Sequence, residues 1–251
     1  AVLFMLDKGL IDLDYKMSYY LPELKGTNKE NMIIRDILAH QAGLWPWIPF
    51  WKNTMDDTIH LPGFYSYHPQ DEYPFYVAQG LYSHKEMEDK VWQWVLESDL
   101  RKKEGKKPYN YRYSDMGYYM LYRLAEKMLN QPIEDFLNQN IYEPLGANTI
   151  SYMPLCKFPT HLIAPTENDT TFRQSQLLGT VHDQGAAMIG GVAGHAGLFS
   201  NATDLAKLMQ MHLQNGSYGG AQYFRKEILE PLRLAQYETT RRGVGWDKPI
   251  P

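Results

Sequence analysis

Tyr118, Leu121, Leu124, Ala125 and Met128 recur three and four positions apart, a spacing that predicts an amphipathic helix over residues 114–129 with one apolar face. Such a face needs partners, and other segments offer them. The opening run through Leu6 reads as the last turns of a buried helix closed by Gly9 as a left-handed cap, so the chain is expected to begin inside an element, as a fragment does. Residues 86–100 carry Val91, Trp92, Val95 and Leu96 at helical spacing, and residues 202–213 read as a strong helix. Shorter helices are expected over residues 35–40 and from Pro132 to about Ile141, with Pro144-Leu145-Gly146 turning the chain.

Between these segments the pattern lapses. Residues 45–84 are rich in Trp, Tyr, Pro and His with no sustained period, as in functional loops or family-specific insertions. Residues 146–180 read as loop-rich, the basic run over 101–107 as a solvated loop, and Gly243-Val244-Gly245-Trp246 as the opening of a strand. From Gly190 to Ser200, glycine stands wherever a backbone would pack closely or turn sharply.

A chain of 251 residues with 44% hydrophobic content can bury the core of one large domain, or of a domain with a subdomain. Its net charge of -4 gives no basic footprint for nucleic acid and no polybasic stripe for anionic lipid, which leaves a small molecule or a peptide as the expected partner. No apolar stretch approaches the roughly 20 residues a membrane span needs. No leader pattern is seen, although the chain opens in an apolar run and a removed leader stays open. The lone Cys156 excludes an internal disulfide and a cysteine zinc cluster.

The sequence contains no His-Glu-x-x-His, no phosphate-binding loop and no Gly-x-Ser-x-Gly, which sets aside zincins, P-loop enzymes and α/β-hydrolases. His182, Asp183 and His195 admit two readings, a metal site or loop side chains bonded to backbone. Tyr113-Ser114-Asp115 sets a phenol and a carboxylate two residues apart where an irregular lead-in becomes a helix, with Ser114 or Asp115 placed to cap it. A phenol with a reference pKa near 10 is a poor base unless cations lower that value. Spacing alone therefore leaves a tyrosine-rich helix start with an Asp cap as open as a catalytic pair.

Segments in order around this motif resemble the β-lactamase-related serine hydrolases, a family that includes class C β-lactamases, D,D-peptidases and esterases. The stretch from Asp7-Lys8-Gly9 to Asp14, with Tyr20-Leu21-Pro22, is similar to the segment just after that family's nucleophile helix. Leu38-Ala39-His40-Gln41-Ala42-Gly43-Leu44 resembles its Leu-Leu-x-His-x-Ser-Gly-Leu signature, Tyr113-Ser114-Asp115 its Tyr-x-Asn motif, and residues 194–205 its Ala-Gly-Gly-Leu-x-Ser-Thr-x-x-Asp-Leu segment. Around Ala164-Pro165-Thr166-Glu167, Val181-His182-Asp183 and residues 190–200, the wording is similar to modules fused to family 3 glycosidases. A glycosidase domain in the full gene is the partner this implies.

The resemblance implies an α+β fold in which an antiparallel sheet is flanked by helices. The 251 residues are then the central portion of one domain and hold mostly its helical part, with a helical subdomain at about residues 30–180. It also implies hydrolysis of an amide or ester through an acyl-enzyme, without a cofactor, in the periplasm or outside a bacterial cell. A catalytically inactive binding module is the alternative. Tyr113 takes the place of the proton shuttle and Asp115 that of the amide that binds substrate carbonyl and lysine. A carboxylate accepts but does not donate, so Asp115 is expected to pair with the lysine and hold a carbonyl poorly.

Such enzymes acylate the Ser of Ser-x-x-Lys, and no serine here has Lys three positions on. The resemblance places that serine about nine residues before Ala1, puts the third motif after Trp246, and makes the fragment alone inactive. His195-Ala196-Gly197 aligns with the family's glycine turn rather than its third motif, so His195 is either a turn residue bonded to backbone or a substrate contact. Trp45 and Trp47 either line the pocket or pack as aromatics.

Overall fold

Helices form where the apolar spacing is regular, and their ends are set by residues that accept a left-handed backbone. The computed structural model describes residues 1–103, 105, 108–238 and 240–249; Glu104, Lys106 and Lys107 of the basic run lie outside them. The chain divides into two compact units, each built from separated stretches.

The first unit comprises Ala1–Trp47, Leu96–Asn148 and Asn201–Pro251. Its central helix, Met116–Leu129, packs on the helices Val2–Asp7 and Ile34–Leu38. Leu121, Leu124 and Ala125 of the predicted face are buried, and the buried face is wider than predicted. Met116, Met120 and Leu124 are fully buried, whereas Tyr118 and Met128 lie at its margin, because neighbours approach on two sides and widen the apolar stripe. Helix Val2–Asp7 ends as predicted, with Gly9 at φ +68° and the Leu10 and Gly9 amides donating to the carbonyls of Met5 and Leu6. After Pro132 the expected helical stretch runs to Tyr142, as the helix Ile133–Leu137 continued by a wider π turn over Asn138–Tyr142. Ala202–Leu213 is a helix as read, opened by the Asn201 side chain accepting from the Asp204 amide. Met17–Tyr20, Lys226–Arg233 and a hairpin of Ser217–Tyr218 with Ala221–Gln222 complete the unit. Gly243 to Trp246 form a turn closed by the Gly243 amide on the Trp246 carbonyl, in place of the expected strand.

The second unit comprises Ile48–Val95 and Thr149–Ser200. The stretch without a period holds more order than its sequence suggests. A 3₁₀ turn over Phe50–Thr54 leads to a three-stranded antiparallel sheet in which Leu81–Ser83 runs between Tyr65–Ser66 and Phe75–Ala78. These strands are two to four residues long, too short to show alternation. Met87–Glu97 forms the predicted helix, with Met87, Val91, Trp92 and Val95 buried.

Residues 146–180, expected as loops, contain the hairpin Pro165–Asp169 with Ser175–Leu178. Its tip is fastened by Asp169, whose carboxylate accepts from the amides of Thr171, Phe172 and Arg173 and pairs with the Arg173 guanidinium at 2.7 Å. Arg173 also donates to the carbonyls of Val181 and His182. Phe172 is fully buried against Trp51, His60 and Tyr65. Gly197, at φ +113°, answers to close approach, since a Cβ there would stand 2.1 Å from the Gly191 carbonyl oxygen.

These elements form a mixed α+β architecture of helices and small antiparallel sheets, as predicted.

Candidate active site

The first unit holds Tyr113 through backbone links between two loops. Helix Ile34–Leu38 ends with His40 in the left-handed region at φ +57°, the Gln41 amide reaching back to the Asp36 carbonyl and the His40 amide to Ile37. A histidine at this position carries a steric cost that glycine would not. What it gains is direction, since its ring faces the 109–115 segment.

The His40 Nδ1 accepts the Ser114 amide at 3.1 Å, and its ring centroid lies 4.7 Å from that of Tyr113. Backbone bonds continue this join. Arg112 donates to the His40 carbonyl, Tyr109 to Gln41 and Asp115 to Pro46, while the Ser114 hydroxyl donates to the Trp45 carbonyl at 2.6 Å. Gly43 lets the loops close, because a Cβ there would sit 2.6 Å from the Tyr109 ring. Arg101, expected in a solvated loop, joins in through its amide on the Gly43 carbonyl and its guanidinium on the carbonyls of Leu44 and Asn110.

Neither Ser114 nor Asp115 caps the helix with its side chain. The Ser114 hydroxyl is spent on Trp45, and Asp115, although at the N-cap position, is already in the right-handed helical region and hydrogen-bonds Tyr113 instead. The sequence motif is thus a phenol and carboxylate joined to each other.

The electrostatics follow from this pairing. Tyr113 is half exposed, yet its pKa is pushed up to about 12. Desolvation contributes most, then the Asp115 charge and hydrogen bond, with Tyr118 adding to the rise and Arg242 opposing it. The Arg242 guanidinium lies 5.9 Å from the centroid of the Tyr113 ring and hydrogen-bonds Tyr118. Burial, reinforced by Arg242, drives His40 down to about 4, so at neutral pH it is an uncharged imidazole able to accept at Nδ1. A phenol in this setting donates to Asp115. An additional cation beside Asp115 would neutralise the carboxylate and bring the phenol down.

Trp45 and Trp47 are both nearly half exposed, so neither is a buried packing aromatic. His195 belongs to the second unit. Its side chain is 3% exposed and its Nε2 lies 3.0 Å from Asp183, which also accepts the Ala186 amide and so opens the helix Gln184–Met188. Burial pushes the Asp183 carboxyl up, but the hydrogen bond and charge of His195 outweigh it and hold the group low. His182 is exposed and faces Glu167 at 3.5 Å. Among the described residues no three His, Cys, Asp or Glu side chains are grouped to hold a metal.

Sequence reasoning quotes His40 within its signature without assigning it a role, and it misses Tyr118 and Arg242 as neighbours of Tyr113. Arg242 carries no local signal, since only the tertiary fold brings it to this site.

Residues 1–248 match the family model described as Beta-lactamase. A protein of Escherichia coli (strain K12) named "Putative D-alanyl-D-alanine carboxypeptidase" is 36% identical over 210 residues, covering 78% of this chain and 47% of the relative. The "N-acetylmuramyl-L-alanine amidase" of Bacillus subtilis (strain 168) is 29% identical over 260 residues, covering 96% of this chain and 53% of the relative. The chain therefore spans about half the length of the curated relatives it matches. Among solved structures, "Beta-Lactamase/D-Alanine Carboxypeptidase from Pseudomonas syringae" superposes with a TM-score of 0.62 at 15% identity, over 97% of this chain and 55% of that one. At that identity the likeness shows the fold.

Proposed function

The chain belongs to the Beta-lactamase family, and from that we propose that its 251 residues are the central portion of a serine hydrolase domain, with the helical subdomain at about residues 30–180. The substrate is an amide or ester, of which a cell-wall peptide is the leading case, given relatives named carboxypeptidase and amidase. The observation that carries this reading is the clamp of His40, Trp45 and Pro46 on residues 114–115, which holds the half-exposed Tyr113 beside a carboxylate.

The 251 residues contain no Ser-x-x-Lys, so in this reading the acylated serine and its lysine lie outside them. The lysine ammonium pairs with Asp115 and draws the Tyr113 pKa down from about 12. Tyr113 then takes the serine proton as the serine oxygen bonds to the carbonyl carbon. It returns that proton to the leaving nitrogen or oxygen as the scissile bond breaks, and water later releases the acyl group. No cofactor enters these steps. Trp45 and Trp47 line the substrate's approach, and His195 serves the second unit's own packing through Asp183. The cell-wall substrate puts the protein in the periplasm or outside the cell, and the resemblance to glycosidase-fused modules adds a glycosidase domain in the same gene.

A second reading, a catalytically inactive binding module, is favoured by the raised Tyr113 pKa and by Asp115 where the family pattern has Asn. The two separate on the full-length gene product given a peptide ending in D-alanyl-D-alanine, a β-lactam and a short-chain aryl ester. Turnover of any of these supports the hydrolase, whereas saturable binding with turnover of none supports the binding module.

A further inference from the structure

Within the second unit, residues from four chain segments enclose a cavity of about 270 Å³. Its walls include Val77, Leu155, Val181 and Phe199, and none of the residues lining it carries a charge. Three polar side chains, those of Tyr76, Thr180 and Cys156, break this surface. Thr180 is 7% exposed and, among the described residues, its hydroxyl has no hydrogen-bond partner. Cys156, the chain's single cysteine, is exposed and unbonded at the same cavity.

Leaving a buried hydroxyl unpaired costs on the order of 1–3 kcal/mol, so this Thr180 calls for an explanation. Met153, another lining residue, stands in the left-handed region at φ +44°, a strained setting for a side chain of its size. An apolar hollow with a few polar groups, of which the Thr180 hydroxyl is unpaired among the described residues, has the form of a small-molecule site. Its volume sets the size of the occupant: a cavity of ~150 Å³ holds benzene, so this one holds roughly eleven heavy atoms. Its lining sets the charge, because no cationic or anionic side chain is present to compensate a buried ion.

We propose that this cavity of the second unit is a binding site for an uncharged and mainly apolar molecule of about this size, anchored by one hydrogen bond to the Thr180 hydroxyl. Cys156 at its edge serves as the reporter of occupancy.

The test uses 1-naphthol, an uncharged two-ring alcohol, as probe, and 1-naphthoate as its charged counterpart. The rate at which Cys156 reacts with a soluble aromatic disulfide is followed as either compound is added, and naphthol fluorescence is read in parallel. Naphthol is expected to slow the thiol reaction saturably, naphthoate to leave it unchanged, and Thr180→Val, which keeps the shape and removes the hydroxyl, to weaken naphthol binding about fivefold. Absence of saturation in both signals with the unaltered protein overturns the site, and equal protection by naphthoate overturns the uncharged class. Unchanged affinity in a folded Thr180→Val protein, with folding checked by circular dichroism, overturns the anchor.

Discussion

His40 holds Tyr113-Ser114-Asp115 at a cost to its own backbone, and both sides of that trade are measurable. His40→Ala removes the bond to the Ser114 amide and the ring against Tyr113 while keeping the left-handed strain. It should lower stability by about 1–3 kcal/mol in urea unfolding. His40→Gly relieves the strain and should lose less. Equal losses would mean that the left-handed backbone contributes nothing to the cost.

Lys29 offers a test of a different kind. It is fully buried, with its ammonium donating to Asn28 Oδ1 and to the carbonyls of Leu96 and Ser98, and desolvation lowers its pKa from 10.5 to about 8, against a smaller opposing effect from Asp99. Between these two values the unfolded chain binds more protons than the folded one, so this residue makes stability rise with pH through that window. The rise amounts to roughly 3 kcal/mol in all. Unfolding curves at pH 7 and pH 10 should show it, and Lys29→Met should remove that part of the difference. An unchanged difference would mean that the ammonium's three acceptors keep its pKa near the ordinary value.

At the scale of elements, the helices are legible in the sequence and the second unit largely is not. Met116–Leu129 and Ala202–Leu213 announce themselves because each is at least three turns long and one-sided. The buried face of the central helix is wider than its sequence pattern, taking in Met116, Tyr119 and Met120 as well, since neighbours crowd both flanks. Leu124→Ala, at a fully buried position, should cost about 2–5 kcal/mol, whereas Met128→Ala at the margin should cost far less, both by urea unfolding. The reverse order would mean that burial at Leu124 does not hold this face. The hairpin ending at Leu178 leaves no sequence signal because its tip is fixed by one buried side chain, Asp169, rather than by glycine or proline.

For the whole molecule, the ordered segments suffice to indicate the Beta-lactamase family and its fold class, because several weak motifs in sequence are together strong. The Tyr113 neighbourhood is legible only in part. The Tyr–Asp spacing is local, but Arg242 arrives from 127 positions beyond Asp115, and the raised pKa of Tyr113 depends on which groups surround it.

The central claim is that Tyr113 becomes a working proton shuttle once the family's serine and lysine stand beside it. Labelling the full-length gene product with a fluorescent penicillin tests this most directly, with Tyr113→Phe in parallel and the labelled peptide identified. The proposed function leads to a covalent adduct on a serine outside residues 1–251, formed at a rate that falls by ~10²–10⁴ in Tyr113→Phe. An adduct on a serine within residues 1–251, an equal rate in the Phe variant, or no adduct at all would contradict it.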